Sequence, residues 1–229
     1  MLRILAVGDE ETLRDKPPEL GQVDLLVNCG DLSPSYLDFL ICKYQPSARV
    51  MVYGNHDKIF YHNENYEDQC YSEVYKGMYI INDSLHRVKK NGISGLSRDV
   101  LLCGYSGAMA YGKRPFFFNE KQAASFVRNL RVKDFFSSLD MDIMVSHCAP
   151  DIDGLIKNED LFHKPSKSLG EIYGKFQPKL WFYGHIHPRS TNEQLDFLVN
   201  DEMYLLNVVP YKFVEFDEVT GESAVFPRI

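Results

Sequence analysis

Five segments of this chain share one pattern that limits the folds open to it. Each is a run of about four to six mostly large or β-branched apolar residues that ends abruptly in Gly, Asp, Asn or His. They read RILAVGD, VDLLVNCGD, ARVMVYGNHD, MDIMVSHCAP and KLWFYGHIHP. Because the runs are apolar throughout instead of alternating, they predict strands that are covered on both faces, as in parallel or layered sheets.

The stretches between these runs predict helices. The clearest are residues 35–44, 119–139 and 166–176, and the second begins at a good N-cap, Asn119. Near the end of the chain, VEFDEVTGESAVF predicts a hairpin around an acidic turn that contains glycine. We therefore predict an α/β fold with two packed sheets and helices outside them. No linker or repeat interrupts the sequence, so residues 1–229 are predicted to form a single domain.

Polar side chains follow all five predicted strands, and in such folds ligands bind beyond the carboxyl ends of strands. In an extended segment, residues two apart point the same way. Asp9 and Glu11 should therefore share one side, as should His185 and His187, while Glu10 faces the other side and is assigned to solvent. Pooled, the polar residues at the strand ends are Asp9, Glu11, Asp31, Asn55, His56, Asp57, His147, His185 and His187.

Carboxylates and imidazoles that converge from separate loops are typical ligands of divalent metal ions, and this set would supply about three to four to each of two ions. Taken singly, each residue could equally be a turn or strand-end cap. Two alternatives stay open in particular. Glu11 could be a solvent-facing carboxylate at the start of the following helix, and His56 could be a loop histidine without a chemical role.

The order and spacing of these motifs resemble the calcineurin-like metallophosphoesterase family. The resemblance is carried by Gly8-Asp9, Gly30-Asp31, GNHD at 54–57, His147 and GHIH at 184–187. It implies a four-layer α/β/β/α sandwich, in which two mixed β-sheets are flanked by helices, and a metal-dependent activity on phosphodiesters or phosphomonoesters. Within the family, ILAVGDEE and SHCAPDIDG are similar to a small bacterial subgroup that has Asp-Glu-Glu in place of Asp-x-His at the first motif.

The resemblance also implies roles for individual residues. Asp31 would bridge two ions that hold a hydroxide as the attacking group. His56 would act as general acid and protonate the departing alkoxide, and Asp57 would orient His56 or a ligand. One ion would also bind Asp9, Glu11 and His187, and the other Asn55, His147 and His185.

The second glutamate of Asp9-Glu10-Glu11 stands where the commonest family pattern has histidine. As a ligand, Glu11 would leave the site with one formal positive charge fewer than histidine would. Harder metals that prefer oxygen ligands, Mn²⁺ or Fe²⁺, are therefore expected over Zn²⁺ or Ni²⁺.

Three further residues are candidates for substrate binding: His163, Arg114 and Tyr111. Cations beside an aromatic run such as Phe116 to Phe118 suit a phosphate and an attached ring. A surface histidine and a solvated cation are the equally simple explanations. The partner expected is a small phosphate ester.

Composition limits the other functions. A net charge of −7 disfavours nucleic acid as a partner, which makes a nuclease of the same architecture the weaker alternative. A binding or scaffold protein that has lost turnover is the other alternative. Five cysteines without CxxC spacing suit reduced thiols, and no long apolar stretch or signal peptide is visible, so a cytoplasmic protein without a membrane span is expected. Nothing in the sequence indicates the oligomeric state.

Overall fold

The computed structural model describes residues 1–57, 74–111, 116–157, 160–190 and 193–226. Within these ranges the chain forms three α-helices and fifteen strands. The helices are α1 Pro34–Tyr44, α2 Glu120–Ser137 and α3 Lys167–Phe176. The strands are β1 Leu2–Val7, β2 Leu25–Asn28, β3 Ala48–Met51, β4 Val74–Tyr75, β5 Met78–Ile80, β6 Ser84–Val88, β7 Val100–Tyr105, β8 Ala108–Met109, β9 Phe117–Phe118, β10 Ile143–Ser146, β11 Leu180–Tyr183, β12 Phe197–Val199, β13 Met203–Asn207, β14 Tyr211–Phe216 and β15 Ser223–Phe226.

Two mixed sheets form the body of the fold. The first has the strand order β15-β14-β1-β2-β3-β5-β4, and its inner strands β1, β2, β3 and β5 run parallel. The second has the order β12-β13-β11-β10-β7-β6, with β13, β11, β10 and β7 parallel. Strands β8 and β9 form a small separate pair. Because the inner strands of each sheet are parallel, their carboxyl ends lie together at one edge.

Both faces of each sheet are covered, as the uninterrupted apolar runs predicted. Along β1, Ile4 and Ala6 face the second sheet, whereas Leu5 and Val7 face α1. Along β11, Phe182 faces the first sheet and Trp181 faces α2 and α3. The layers therefore run α1, first sheet, second sheet, α2 with α3, and the predicted four-layer sandwich is confirmed.

The helix ends follow from local chemistry. The Oγ of Ser33 accepts a hydrogen bond from the backbone N of Tyr36 at the start of α1, and Pro34 occupies the first helical position. Asn119 caps α2, as predicted, and forms a capping box with Gln122. The three predicted helices and the C-terminal hairpin, β14 with β15, are confirmed. Among the described residues, no helix is both long and apolar enough to cross a bilayer.

The turn between β5 and β6 carries a carboxyl group, that of Asp83, whose ionised form is disfavoured. Asp83 is exposed to solvent, yet partial desolvation by the surrounding chain raises its pKa to about 6 from its ordinary value of 3.8. The folded state therefore resists ionisation of this group, so stability is lost as the pH rises from about 4 to 6 and the loss is complete above that range. Asparagine suits the left-handed backbone there, where φ is 48°.

Asp83→Asn is therefore expected to raise the free energy of unfolding at pH 8 by no more than about 1 kcal/mol, because solvent at this exposed residue screens the carboxylate. Urea denaturation at pH 8 and at pH 4.5 would measure this, with a smaller gain at the lower pH. Equal gains at both values would show that ionisation of Asp83 is not the cause.

Candidate metal centre

The polar residues predicted as ligands lie at the carboxyl ends of parallel strands from both sheets. Strands β1, β2 and β3 lead to Asp9, Asp31 and Asn55, and β10 and β11 lead to His147 and His185. Backbone hydrogen bonds connect adjacent loops. In one of them, Asp9 N donates to Gly30 O at 3.1 Å. Because the two sheets pack face to face, their strand ends supply one common cluster of side chains.

His147 lies at the centre of this cluster and is fully buried. Its Nε2 lies 2.9 Å from Asn55 Oδ1 and 3.4 Å from Asp31 Oδ2. Its Nδ1 lies 2.7 Å from the carbonyl oxygen of Cys29, which fixes the ring and leaves Nε2 directed at the two oxygens. Nε2 and these oxygens are the ligand atoms that a divalent ion would take.

A second group of donors adjoins the first. Ligand atoms of Asp9, His147 and His185 all lie within 4.8 Å of one another. Asp9 Oδ2 accepts a hydrogen bond from the backbone N of His185 at 2.9 Å, and Asp9 Oδ1 lies 3.7 Å from His187 Nε2. The structure thus brings together six of the seven predicted ligands: Asp9, Asp31, Asn55, His147, His185 and His187.

Two glycines of the motifs make room for the carboxylates. A Cβ on Gly54 would lie 2.1 Å from Asp31 Oδ1, and one on Gly184 would lie 2.5 Å from Asp9 Oδ2. Any side chain at either position would displace a ligand oxygen. The glycines of GNHD and GHIH are therefore required by the close approach of each carboxylate to the neighbouring backbone.

The electrostatics of the cluster favour a bound cation. Burial opposes the charged form of His147, yet the carboxylates of Asp31 and Asp9 raise its pKa to about 9. Burial raises the pKa of Asp9, and burial together with the charge of His147 lowers the pKa of His185 to about 3. The buried oxygens thus demand a positive charge beside them, and a neutral His185 is suited to donate a lone pair. The donor set of carboxylates, an amide oxygen and imidazoles fits divalent transition metals.

Asp57 holds two of the strand-end loops in place. It is buried, and its Oδ2 accepts hydrogen bonds from the backbone N of Gly54 at 2.7 Å and of Asp31 at 3.0 Å. Burial and the charge of Asp31 raise its pKa to about 8. Asp57 therefore positions Asp31, which fits the expected orienting role toward a ligand.

His56 projects outward from the cluster. Its side chain is exposed, while its backbone N donates to Asp31 Oδ1 at 2.7 Å. The backbone thus fixes a bridging candidate, and the imidazole stays accessible to a substrate.

The structure places the two glutamates differently from the expectation. Asp9 adopts a left-handed backbone with φ of 63°, so the segment is not extended and the assumed alternation of side chains is wrong. Glu11 Oε1 accepts from the backbone N of Ser33 at 2.8 Å, at the start of α1, and Glu11 Oε2 lies 4.0 Å from Arg14. Glu10, expected to face solvent, instead lies with its Oε1 3.2 Å from His187 Nδ1.

The observed positions of Glu10 and Glu11 change the chemistry expected at the first motif. A carboxylate on Nδ1 of His187 fixes the ring so that Nε2 faces Asp9, which is a common arrangement behind metal-binding histidines. The expected preference for Mn²⁺ or Fe²⁺ rested on Glu11 as a ligand, and its position at α1 removes that support.

Glu10→Gln and Glu11→Gln form a matched pair of variants. Glu10→Gln is expected to weaken Mn²⁺ binding by about 10- to 100-fold, since it removes the carboxylate that orients His187. Glu11→Gln is expected to change it by less than about threefold. Isothermal titration of each apoprotein with Mn²⁺ measures both, and the reverse ranking would make Glu11 the metal ligand.

Two of the three candidate substrate residues also lie at the cluster. The OH of Tyr111 accepts from Asn55 Nδ2 at 3.3 Å. The ring of His163 lies 4.8 Å from that of His185, and its Nδ1 lies 2.8 Å from Asp160 Oδ2. Arg114 lies outside the described residues. Asp160 and Glu10 are not among the predicted site residues. The spacing of Asp160, three residues before His163, is a signal that could have identified Asp160, and no comparable signal points to Glu10.

Comparisons with known proteins agree with the fold. Crystal structures that share the fold at low sequence identity include the following two. The protein TT1561 of Thermus thermophilus has 14% identity and a TM-score of 0.57, with 98% of this chain and 97% of that chain covered. A Staphylococcus aureus protein described as a candidate 5'-nucleotidase, in complex with alpha-ketoglutarate, has 11% identity and a TM-score of 0.52, with 98% of this chain and 52% of that chain covered.

No curated protein matches this sequence significantly. The model of the family described as calcineurin-like phosphoesterase, in contrast, matches residues 4–189. This range contains every strand end that contributes to the cluster. The chain therefore belongs to the calcineurin-like phosphoesterase family.

Proposed function

We propose that this protein is a dinuclear metal-dependent phosphoric ester hydrolase. The observation that carries the proposal is the convergence, from five strand ends, of six side chains of types that can bind metal ions. Asp31 would be shared by both ions. Asp9 and His187 would complete one position, and Asn55, His147 and His185 the other.

Bound divalent ions would supply Lewis-acid activation of water and of the phosphoryl oxygens. The protein's own side chains supply proton transfer and the positioning of the ligands. His56 donates a proton to the leaving alkoxide, for which an accessible imidazole is suited near neutral pH. Asp57 accepts a hydrogen bond from the backbone N of Asp31, and the backbone N of His56 donates one to Asp31 Oδ1, so the backbone and the carboxylate of Asp31 are each held by a hydrogen bond.

The substrate class follows from charge. A chain of net charge −7 is a poor binder of a long polyanion, so the proposal favours a small phosphate ester over nucleic acid. The described cysteines, Cys29, Cys42, Cys103 and Cys148, are free thiols, and free thiols suit the reducing, cytoplasmic location that we propose.

The test uses purified protein that has been depleted of metal and then loaded with Mn²⁺, Fe²⁺ or Zn²⁺. Hydrolysis of bis(4-nitrophenyl) phosphate and of 4-nitrophenyl phosphate is followed for each metal, with metal content measured on the same samples. We expect turnover that requires metal with at least one of the two esters. Protein that carries two ions and hydrolyses neither ester with any metal would favour a binding or scaffold protein.

A further inference from the structure

A loop on one side of the metal centre is fixed directly to it. His185 Nε2 donates a hydrogen bond to the carbonyl oxygen of Phe162 at 2.8 Å. His163, the next residue, packs its ring against that of His185 and lies 6.4 Å from that of His187. The position of Phe162 is thus tied to residues that belong to the candidate metal centre.

One carboxylate presets the shape of this loop. Asp160 Oδ1 accepts from the backbone N of Phe162 at 2.9 Å, and Asp160 Oδ2 lies 2.8 Å from His163 Nδ1. Both residues are therefore held before any ligand arrives. A surface that is ordered in advance binds with a smaller entropic cost.

This loop presents an aromatic surface beside the ligands. Phe162 is 52% exposed, and its ring lies 4.9 Å from that of Tyr111 in an edge-on contact. Tyr111 packs in turn against Phe117 at 4.5 Å, and its OH contacts Asn55. The aromatic wall formed by Tyr111 and Phe162 therefore packs against Phe117, adjoins a candidate metal ligand, and leaves ring surface open to solvent.

We propose that the aromatic wall binds a planar ring in the substrate, so that the natural ester is a nucleoside phosphate or a similar ring-bearing phosphate. This inference rests on the proposed function, because the phosphoryl group must lie at the metal centre for the ring to reach the wall. Aromatic side chains bind bases by stacking largely regardless of sequence, since every base has a π-face. Stacking on the aromatic wall does not require charged side chains, so a neutral ring can bind there although the protein is acidic.

The test compares adenosine 5'-monophosphate with ribose 5-phosphate, which share a 5'-phosphate and differ in the base. We expect kcat/KM to be at least about tenfold higher for the nucleotide in the Mn²⁺-loaded protein. Phe162→Leu keeps an apolar side chain but loses the ring. It should reduce this ratio about fivefold or more, with kcat/KM for ribose 5-phosphate unchanged within about twofold. Phe135→Leu, at an exposed phenylalanine of α2, is the control and should leave both values unchanged.

An unchanged ratio in Phe162→Leu, or an equal fall for both substrates, would overturn the proposed stacking. Calorimetry of the binding of the same two compounds distinguishes failure of the proposed stacking from failure of the proposed hydrolase activity. If the loaded protein hydrolyses neither compound, tighter binding of the nucleotide that Phe162→Leu abolishes would still support the wall. Equal binding of both compounds would reject it.

Discussion

Replacing Asp31 by asparagine is expected to reduce turnover by at least about 10³-fold and to lower the bound metal from two ions to one or none. Asp31 Oδ2 lies 3.4 Å from His147 Nε2, and its Oδ1 accepts from the backbone N of His56. The substitution keeps the size of the side chain but removes the charge that two cations would share. Metal analysis and ester hydrolysis on the same preparation measure the effect.

Asp38→Asn is the matched control for that variant. Asp38 lies on α1 and pairs with Lys76 at the surface, so its loss should leave metal content and turnover unchanged. An Asp31→Asn protein with wild-type thermal stability, two bound ions and normal turnover would show that Asp31 does not bridge metals.

Replacing His56 by alanine is expected to reduce turnover of an alkyl phosphate ester by about 10²-fold or more, with metal content unchanged. The backbone N of His56 donates a hydrogen bond to Asp31 Oδ1, and alanine keeps that bond. Loss of the imidazole removes the proton donor for the leaving alkoxide. The defect should be smaller with a 4-nitrophenyl ester, because its leaving group needs less protonation. Kinetics with both esters and metal analysis provide the measurement.

His86→Ala is the control for this prediction, since His86 lies on β6 with its ring beside Tyr79. Loss of metal from His56→Ala would make His56 a ligand instead of an acid. An equal defect for both leaving groups would deny its role as a proton donor.

The fold is predictable from the sequence where local chemistry decides the structure. Uninterrupted apolar runs mark β1, β2, β10 and β11, because residues on both faces of these strands are buried, and β3 is buried from Val50 onward. Strands β6, β7 and β13 are not among the predicted elements, and neither are the short strands of two or three residues, such as those at 108–109 and 117–118. Pairing with a distant segment defines such strands, and a few residues carry too little periodicity to reveal them.

The site is predictable where a strand end fixes the side chain. His147 directly follows β10, Asn55 lies four residues after the end of β3, and their convergence is predicted by the rule that ligands bind beyond the carboxyl ends of strands. The roles of Glu10 and Glu11 could not be anticipated, because the left-handed backbone at Asp9 breaks the expected alternation of side-chain directions. Tyr111 and His163 reach the centre from loops, whose paths depend on contacts such as that of Asp160 with His163.

The most direct measurement of the central claim is anomalous diffraction from a crystal of the Mn²⁺-loaded protein. Two peaks are expected about 3.5 to 4 Å apart on either side of Asp31. One should lie among Asn55, His147 and His185, and the other beside Asp9 and His187. A loaded crystal with no anomalous peak between Asp31 and His147 would contradict the account.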